Sequence, residues 1–271
     1  MFERTANWIA SVRAKETDRE DSLFKDEFAK IMAGEIGQEI RLKSEEKSGG
    51  DNQFIVVRTK YIDDFINVES EEIPQIVILG AGFDTRALRL GLSKNNTVFE
   101  IDTPDLLAEK EKNLKSFDLN RGSKRVIVPS DLRDNWKGCL LAKGFNISIK
   151  TIWVAEGLFF YLSESIVRAI MKSIDMLSAN GSKIIFDIGG TGLLTISTMS
   201  SYIKHLKESG LPLPYCTDYP EEILYNVGWK DIIVDYAGST TASYGRIKTF
   251  EQDIQKGKRN LMNSYFVIGM K

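Results

Sequence analysis

The feature that most restricts this chain is a series of short apolar runs set apart by amphipathic stretches. The runs are Ile76 to Leu79 (IVIL), Thr97 to Ile101 (TVFEI), Arg125 to Pro129 (RVIVP), Thr151 to Ala155 (TIWVA) and Lys183 to Ile188 (KIIFDI). Each is too short for a helix and is rich in β-branched and aromatic residues, so each reads as a strand. Between them the period changes to that of a helix. Thr103-Pro104 is a cap residue followed by proline, and Ser163 precedes Val167, Ile170, Met171, Ile174 and Leu177 on one face. Strands alternating with helices predict a doubly wound α/β fold with a mostly parallel sheet. Two further runs, Asp231 to Tyr236 and Tyr265 to Met270, bring the strands to seven, the last pair antiparallel.

Around this core the sequence divides into four parts. Residues 1–70 are expected to be a helical cap, with Ala6, Ile9, Ala10 and Arg13, then Phe24, Phe28, Ile31 and Met32, at helical spacing. Within the cap, Lys43 to Asn52 is polar, carries paired glycines and reads as a loop, and a third helix follows from Phe54. Residues 71–190 form the ligand-binding core. The stretch 191–230 breaks the pattern and is expected to be a helical lid, and 231–271 return to complete the sheet.

Composition narrows the chemistry. The formal net charge of −2 gives no basic face for nucleic acid. No apolar run is long enough to span a bilayer and no secretory segment is evident, so a cytoplasmic protein is expected. Cys139 and Cys216 fit reduced thiols. His205 is the single histidine, in a stretch that reads as an exposed helix. This excludes a histidine-rich zinc centre, and no metal site is expected.

In open α/β sheets ligands bind at the carboxyl ends of the strands. Those ends carry GAGFDTR (Gly80 to Arg86), Glu100 and Asp102, Asp131 and Leu132, and Glu156 with Tyr161. Gly80 and Gly82 permit close backbone approach, and Asp84 is a candidate cofactor-binding residue with a helix cap as its alternative reading. An acid ending the second strand accepts ribose hydroxyls. Alternation lets only one of Glu100 and Asp102 face the cleft. Asp131 suits an adenine amine and Leu132 the adenine ring. Glu156 suits a cationic group, with Phe159, Phe160 and Tyr161 offering aromatic faces. A dinucleotide loop needs a third glycine where Thr85 stands, so an adenosyl group without pyrophosphate is the better match. An NAD(P)-linked oxidoreductase is the alternative from the same fold.

GAGFDTRALRL, FEIDTPDLLAEKEKNL, SDLRDNW and TIWVAEGLFFYLSE together resemble the leucine carboxyl methyltransferase superfamily, in particular its bacterial tetracenomycin-type polyketide O-methyltransferases. The segment TANWIASVRAKETDREDSLFKDEFA is similar to their helical leader, and the likeness runs from Thr5 to Gly190 before fading. The resemblance implies a Rossmann-like class I methyltransferase sheet. It also implies S-adenosyl-L-methionine as cofactor, with S-adenosyl-L-homocysteine as product. Arg58 would then bind the methionine carboxylate, with Arg13 a second basic group near that end. Gly80 would lie under the cofactor, Asp102 at the ribose, Asp131 and Leu132 at the adenine. Glu156 would lie at the methionine end and Tyr161 on the methyl path. Arg86 reads equally as a partner for an anionic acceptor or as a structural ion pair. With one histidine in the chain, a small carboxylic acid is favoured as acceptor over a phenol, because a carboxylate needs no general base at neutral pH. A protein that binds the cofactor without turnover is the second alternative. Oligomeric state is not legible.

Overall fold

The computed structural model describes residues 2–48, 50–119, 122–196, 200, 203–204, 206, 208, 213–250 and 263–271. Seven strands form one sheet in the order β3-β2-β1-β4-β5-β7-β6. In chain order these are β1 (Gln75–Leu79), β2 (Thr97–Asp102), β3 (Lys124–Pro129), β4 (Thr151–Ala155), β5 (Lys183–Gly189), β6 (Lys230–Tyr236) and β7 (Ser264–Met270). Every strand expected from the sequence is present, each within one residue of its expected ends. The chain divides into two compact units. One comprises Met1–Phe145 with Tyr244–Ile247, the other Asn146–Ser243 with Lys248–Lys271.

In the first unit, β1, β2 and β3 pair in parallel, Ile78 opposite Glu100 and Glu100 opposite Ile127. β1 is buried throughout, as its continuous apolar run requires, whereas β3 at the sheet edge is mostly half-exposed. Helix α5 (Pro104–Leu114) starts at Pro104 with Thr103 at the cap position, and α6 (Trp136–Ala142) follows β3. Helices α1 (Phe2–Thr17), α2 (Ala29–Ser48) and α3 (Gln53–Glu69) precede the sheet. Helices α1 and α2 approach closely at Gly37, where a Cβ would stand 2.3 Å from the Asn7 carbonyl oxygen. Nearby, the Asn7 side chain donates to the Met32 carbonyl at 2.9 Å.

Three local expectations change. The stretch from Lys43 is helical to Ser48, held by Arg41 and Lys15, both bonded to Glu45. Phe24 and Phe28 precede α2, which begins at Ala29 and is interrupted at Gly34. Helix α4 has four residues, Arg86–Arg89, and its cap position is Thr85 rather than Asp84.

In the second unit, β4 and β5 are parallel, while β7 is antiparallel to both β5 and β6. Trp153, Phe186, Tyr265 and Phe266 fill its core. Helix α7 (Glu164–Leu177) buries Val167, Ile170, Met171, Ile174 and Leu177, the face expected from its spacing. Within 191–230, a 3₁₀ turn at Thr191–Thr195 and a short helix at Glu222–Tyr225 are defined. His205 lies outside the described residues. Among the described residues no helix is long and apolar enough to cross a membrane.

Candidate functional site

The first unit gathers three strand ends. Gly80 follows β1, Asp102 is the last residue of β2 and Asp131 stands two residues beyond β3. Backbone bonds stitch the ends together: Ala81 N–H donates to the Ile101 carbonyl at 2.9 Å and Ser130 N–H to the Asp102 carbonyl at 2.8 Å. Gly80 and Gly82 have φ of 62° and 43°, backbone that disfavours a side chain. The Gly82 N–H donates to Asp102 Oδ2 at 2.7 Å, and the Thr103 N–H donates to Oδ1 at 2.7 Å.

The two acids of β2 have separate fates. Glu100 is fully buried and engaged by Lys110 at 2.7 Å and by Arg125 through two bonds of 2.9 and 2.7 Å. Asp102 has no ion-pair partner among the described residues. Burial pushes its carboxyl above the ordinary value, against the Gly82 and Thr103 N–H groups that favour ionisation. Asp102 is therefore the carboxylate at this end that gains most from further hydrogen-bond donors.

Asp131 accepts from the Arg133 N–H at 2.8 Å and from the Arg133 guanidinium, which holds its carboxyl below the ordinary value. Arg133 is largely exposed, so this pair is readily exchanged. Leu132 is half-buried.

The DTR triplet turns inward. Asp84 Oδ1 accepts from the Arg86 N–H at 2.7 Å, and Oδ2 from the Arg86 guanidinium. Burial pushes the Asp84 carboxyl up, but the Arg86, Lys110 and Arg89 charges and the Arg86 N–H outweigh it and bring it to about 2. Thr85 donates its hydroxyl to Asp26 at 2.7 Å. Arg86 donates to Asp63 at 2.7 Å and to the Thr59 carbonyl at 3.3 Å. Its exposure is 3%, so the geometry places Arg86 in a structural ion pair.

Arg13 is likewise committed, to Asp26 at 2.9 Å and to the Phe83 carbonyl at 2.6 Å. Arg58 is buried on α3, its guanidinium 5.5 Å from the centre of the Phe54 ring. The structure thus brings Arg13 and Asp102 to the loop that carries Gly80, Gly82 and Asp84, with Asp131 beyond the neighbouring strand end and Arg58 one residue before Thr59. Sequence reading missed Asp26, Asp63 and Arg89. Arg89 makes bonds of 2.6 and 2.8 Å to Asp63. The available signal was an acid inside an apolar frame, in LFKDEF and YIDDFI.

In the second unit, Glu156 follows β4 directly and is half-buried. Tyr161 ends a 3₁₀ turn, Phe159–Tyr161, with its ring edge-on to Phe160 at 5.8 Å. The Gly157 N–H donates to Asp187 Oδ1 at 2.5 Å.

The first unit also discriminates between adenine cofactors. A pyrophosphate requires a free helix N-terminus. Here the Asp84 carboxylate already accepts from Arg86 N–H, the first of a four-residue helix, and Thr85 occupies the third-glycine place. A glycine-lined loop beside the Asp102 carboxylate remains, which suits an adenosyl group without phosphates.

A sheet of this order with such a loop defines the class I methyltransferase architecture. Solved structures show the same fold. A DUF574 family protein from Streptomyces avermitilis superposes with a TM-score of 0.63 at 11% identity, over 97% of this chain and 96% of that one. An O-methyltransferase family protein from Burkholderia thailandensis gives 0.51 at 13%, over 99% and 70%. The chain belongs to the leucine carboxyl methyltransferase family, whose model matches residues 6–175. A Streptomyces coelicolor relative is 35% identical over 222 residues, 77% of this chain and 73% of its own length. A Frankia alni relative is 35% identical over 256 residues, 89% and 87%. Both are named by class alone, as S-adenosyl-L-methionine-dependent methyltransferases. This chain is such an enzyme, and its cofactor is S-adenosyl-L-methionine. The oxidoreductase and non-catalytic alternatives are set aside.

Proposed function

We propose that the enzyme methylates an oxygen of a small-molecule acceptor, a carboxylate in preference to a phenol. Bound cofactor supplies a methyl group already activated on a sulfonium. What the chain must do is orient the partners and exclude water. In the first unit Asp102 accepts the ribose hydroxyls, Asp131 exchanges Arg133 for the adenine amine, Leu132 covers the ring and Arg58 takes the methionine carboxylate. Gly80 and Gly82 keep the loop free of side chains. Arg13 and Arg86 act from behind the loop, through Phe83 and Asp63. In the second unit Glu156 is the candidate for an ammonium group and Tyr161 for the acceptor side.

The observation that carries the cofactor assignment is the pair of fates on β2, with Glu100 sequestered by Lys110 and Arg125 and Asp102 left at the strand end. The preference for a carboxylate rests on the single histidine in the chain. A carboxylate, with a reference pKa of about 4, is ionised without help, whereas a phenol near 10 needs a base.

The test has two stages. Calorimetric titration with S-adenosyl-L-methionine, with NAD and NADPH as controls, is expected to show binding of the first alone. Methyl-labelled cofactor with panels of carboxylic acids and phenols is expected to label carboxylates. Labelling confined to phenols would overturn the acceptor assignment.

A further inference from the structure

The loop from Gly80 to Arg86 holds two glycines with positive φ and one backbone turn bond, from the Asp84 N–H to the Ala81 carbonyl at 2.7 Å, so contacts from outside add to what fixes its shape. One contact, from Gly82 to Asp102, is made to a group that the cofactor also needs. Two more, at Phe83 and at Thr85, lead to one buried residue. Asp26 is 1% exposed. Its Oδ2 accepts from Arg13 Nε at 2.9 Å and from the Thr85 hydroxyl at 2.7 Å, with Arg89 Nε 3.8 Å away. Its Oδ1 accepts from the Phe28 N–H at 3.1 Å. Arg13, so oriented, donates to the Phe83 carbonyl at 2.6 Å. Asp26 thus holds the loop at Phe83 and at Thr85, one residue to either side of Asp84.

We propose that Asp26 is a positioning residue for methyl transfer, setting the loop in the one shape that accepts the cofactor. This rests on the reading that Gly80, Gly82 and Asp102 bind S-adenosyl-L-methionine. A buried carboxylate paired with a buried guanidinium is a poor way to gain stability, since well-packed apolar groups often do as well or better. Its return is conformational. Both of its side-chain donors, Arg13 and Thr85, lead to the cofactor loop, and it hydrogen-bonds neither Asp102 nor Gly82 itself.

The test is a double-mutant cycle on cofactor affinity. Thr85→Val removes one hydroxyl at nearly constant volume, and Asp26→Asn removes the charge. Each is expected to raise the calorimetric Kd for S-adenosyl-L-methionine about tenfold, the scale of a lost charge-assisted hydrogen bond. The double variant is expected to bind little worse than Asp26→Asn alone, because both act through one contact. Thr85→Ser, which restores the hydroxyl, is expected to bind within about twofold of wild type. Wild-type affinity in Thr85→Val, or losses that multiply in the double variant, would overturn the positioning role even if melting temperatures fall. Should Asp26→Asn not fold, Thr85→Val and Thr85→Ser decide the matter. Absence of binding by the unmodified protein would instead remove the cofactor reading, and the positioning role with it.

Discussion

The two units bury different kinds of interior. The first encloses Arg13, Glu16, Asp26, Arg58, Asp63, Arg86, Glu100 and Lys110. Among the described residues of the second, Asp187 is the one buried charged side chain. Both carry comparable apolar strands, so the difference is not one of folding a sheet. Buried charge is costly to assemble and poorly repaid in stability, but it fixes geometry because each partner leaves the other few alternatives. Most charges of the first unit cluster in two places. One is the Glu100, Lys110 and Arg125 group beside β2, and the other is the set around the DTR triplet. Both border the loop and strand end assigned to the cofactor. The second unit, built on Trp153, Phe186 and Phe266, is a conventional apolar core.

The sharpest way to break this contrast is to orphan the buried charges. Asp63 accepts from both Arg86 and Arg89, so Asp63→Ala removes the carboxylate that two buried guanidinium groups share. A loss of about 3–5 kcal/mol is expected, read as a large fall in melting temperature. Asp102→Ala should behave differently. It removes a carboxylate that closes no ion pair among the described residues. We expect a drop in S-adenosyl-L-methionine affinity of about 10- to 100-fold, or roughly 1.5–3 kcal/mol, with a native melting profile. Unchanged affinity in Asp102→Ala would remove the ribose assignment.

Acid should separate the same two groups. The folded value of Asp84, about 2, lies below its ordinary 3.8. Its contribution, about 2 kcal/mol, is therefore fully present above pH 4 and is lost as pH falls towards 2. Asp26 shifts in the same direction: burial raises it, but Arg13 and Arg89 outweigh that. Asp102 moves the other way, its carboxyl raised by burial. It takes up a proton at a higher pH than either and then loses an acceptor for ribose hydroxyls. Cofactor affinity is expected to fall on acidification before the melting temperature does. Calorimetry and thermal melts over the same pH series check the order.

Much of this was legible in the sequence because strand and helix periods are local properties. IVIL, TVFEI and TIWVA are strands wherever the chain folds around them, and the Val167 to Leu177 stripe fixes one helix face. The residues at strand ends were legible for the same reason, since a strand's end is where its apolar run stops. The choice of Asp102 over Glu100 came from the family resemblance and not from the residues alone, because it depends on Arg125 and Lys110 arriving from β3 and α5. The role of Arg86 was open for the same reason: Asp63 is 23 residues away in sequence. Asp26 reads as one acid among many in DREDSLFKDEFA until the fold brings Arg13 and Thr85 to it. The helix beyond Lys43 was missed because its support, the Lys15 and Arg41 bonds to Glu45, is partly long-range.

The contrast also predicts where charge should be idle. Helix α7 of the second unit carries an Arg168–Glu164 pair one turn apart, with both side chains about half-exposed. Its geometry is as good as that of Arg86–Asp63, with Nε to Oε1 at 2.8 Å. If distance and charge alone decided the effect, Arg168→Ala would cost as much as a buried pair. Solvent screening and the entropy of holding two long side chains say otherwise, and exposed i,i+4 pairs contribute about 0.3–0.5 kcal/mol. The expected change in melting temperature is therefore at most about two degrees, with cofactor affinity unaltered. A fall approaching that of Asp63→Ala would mean that burial is not what separates the two units, and the argument from buried charge to a fixed cofactor loop would lose its footing.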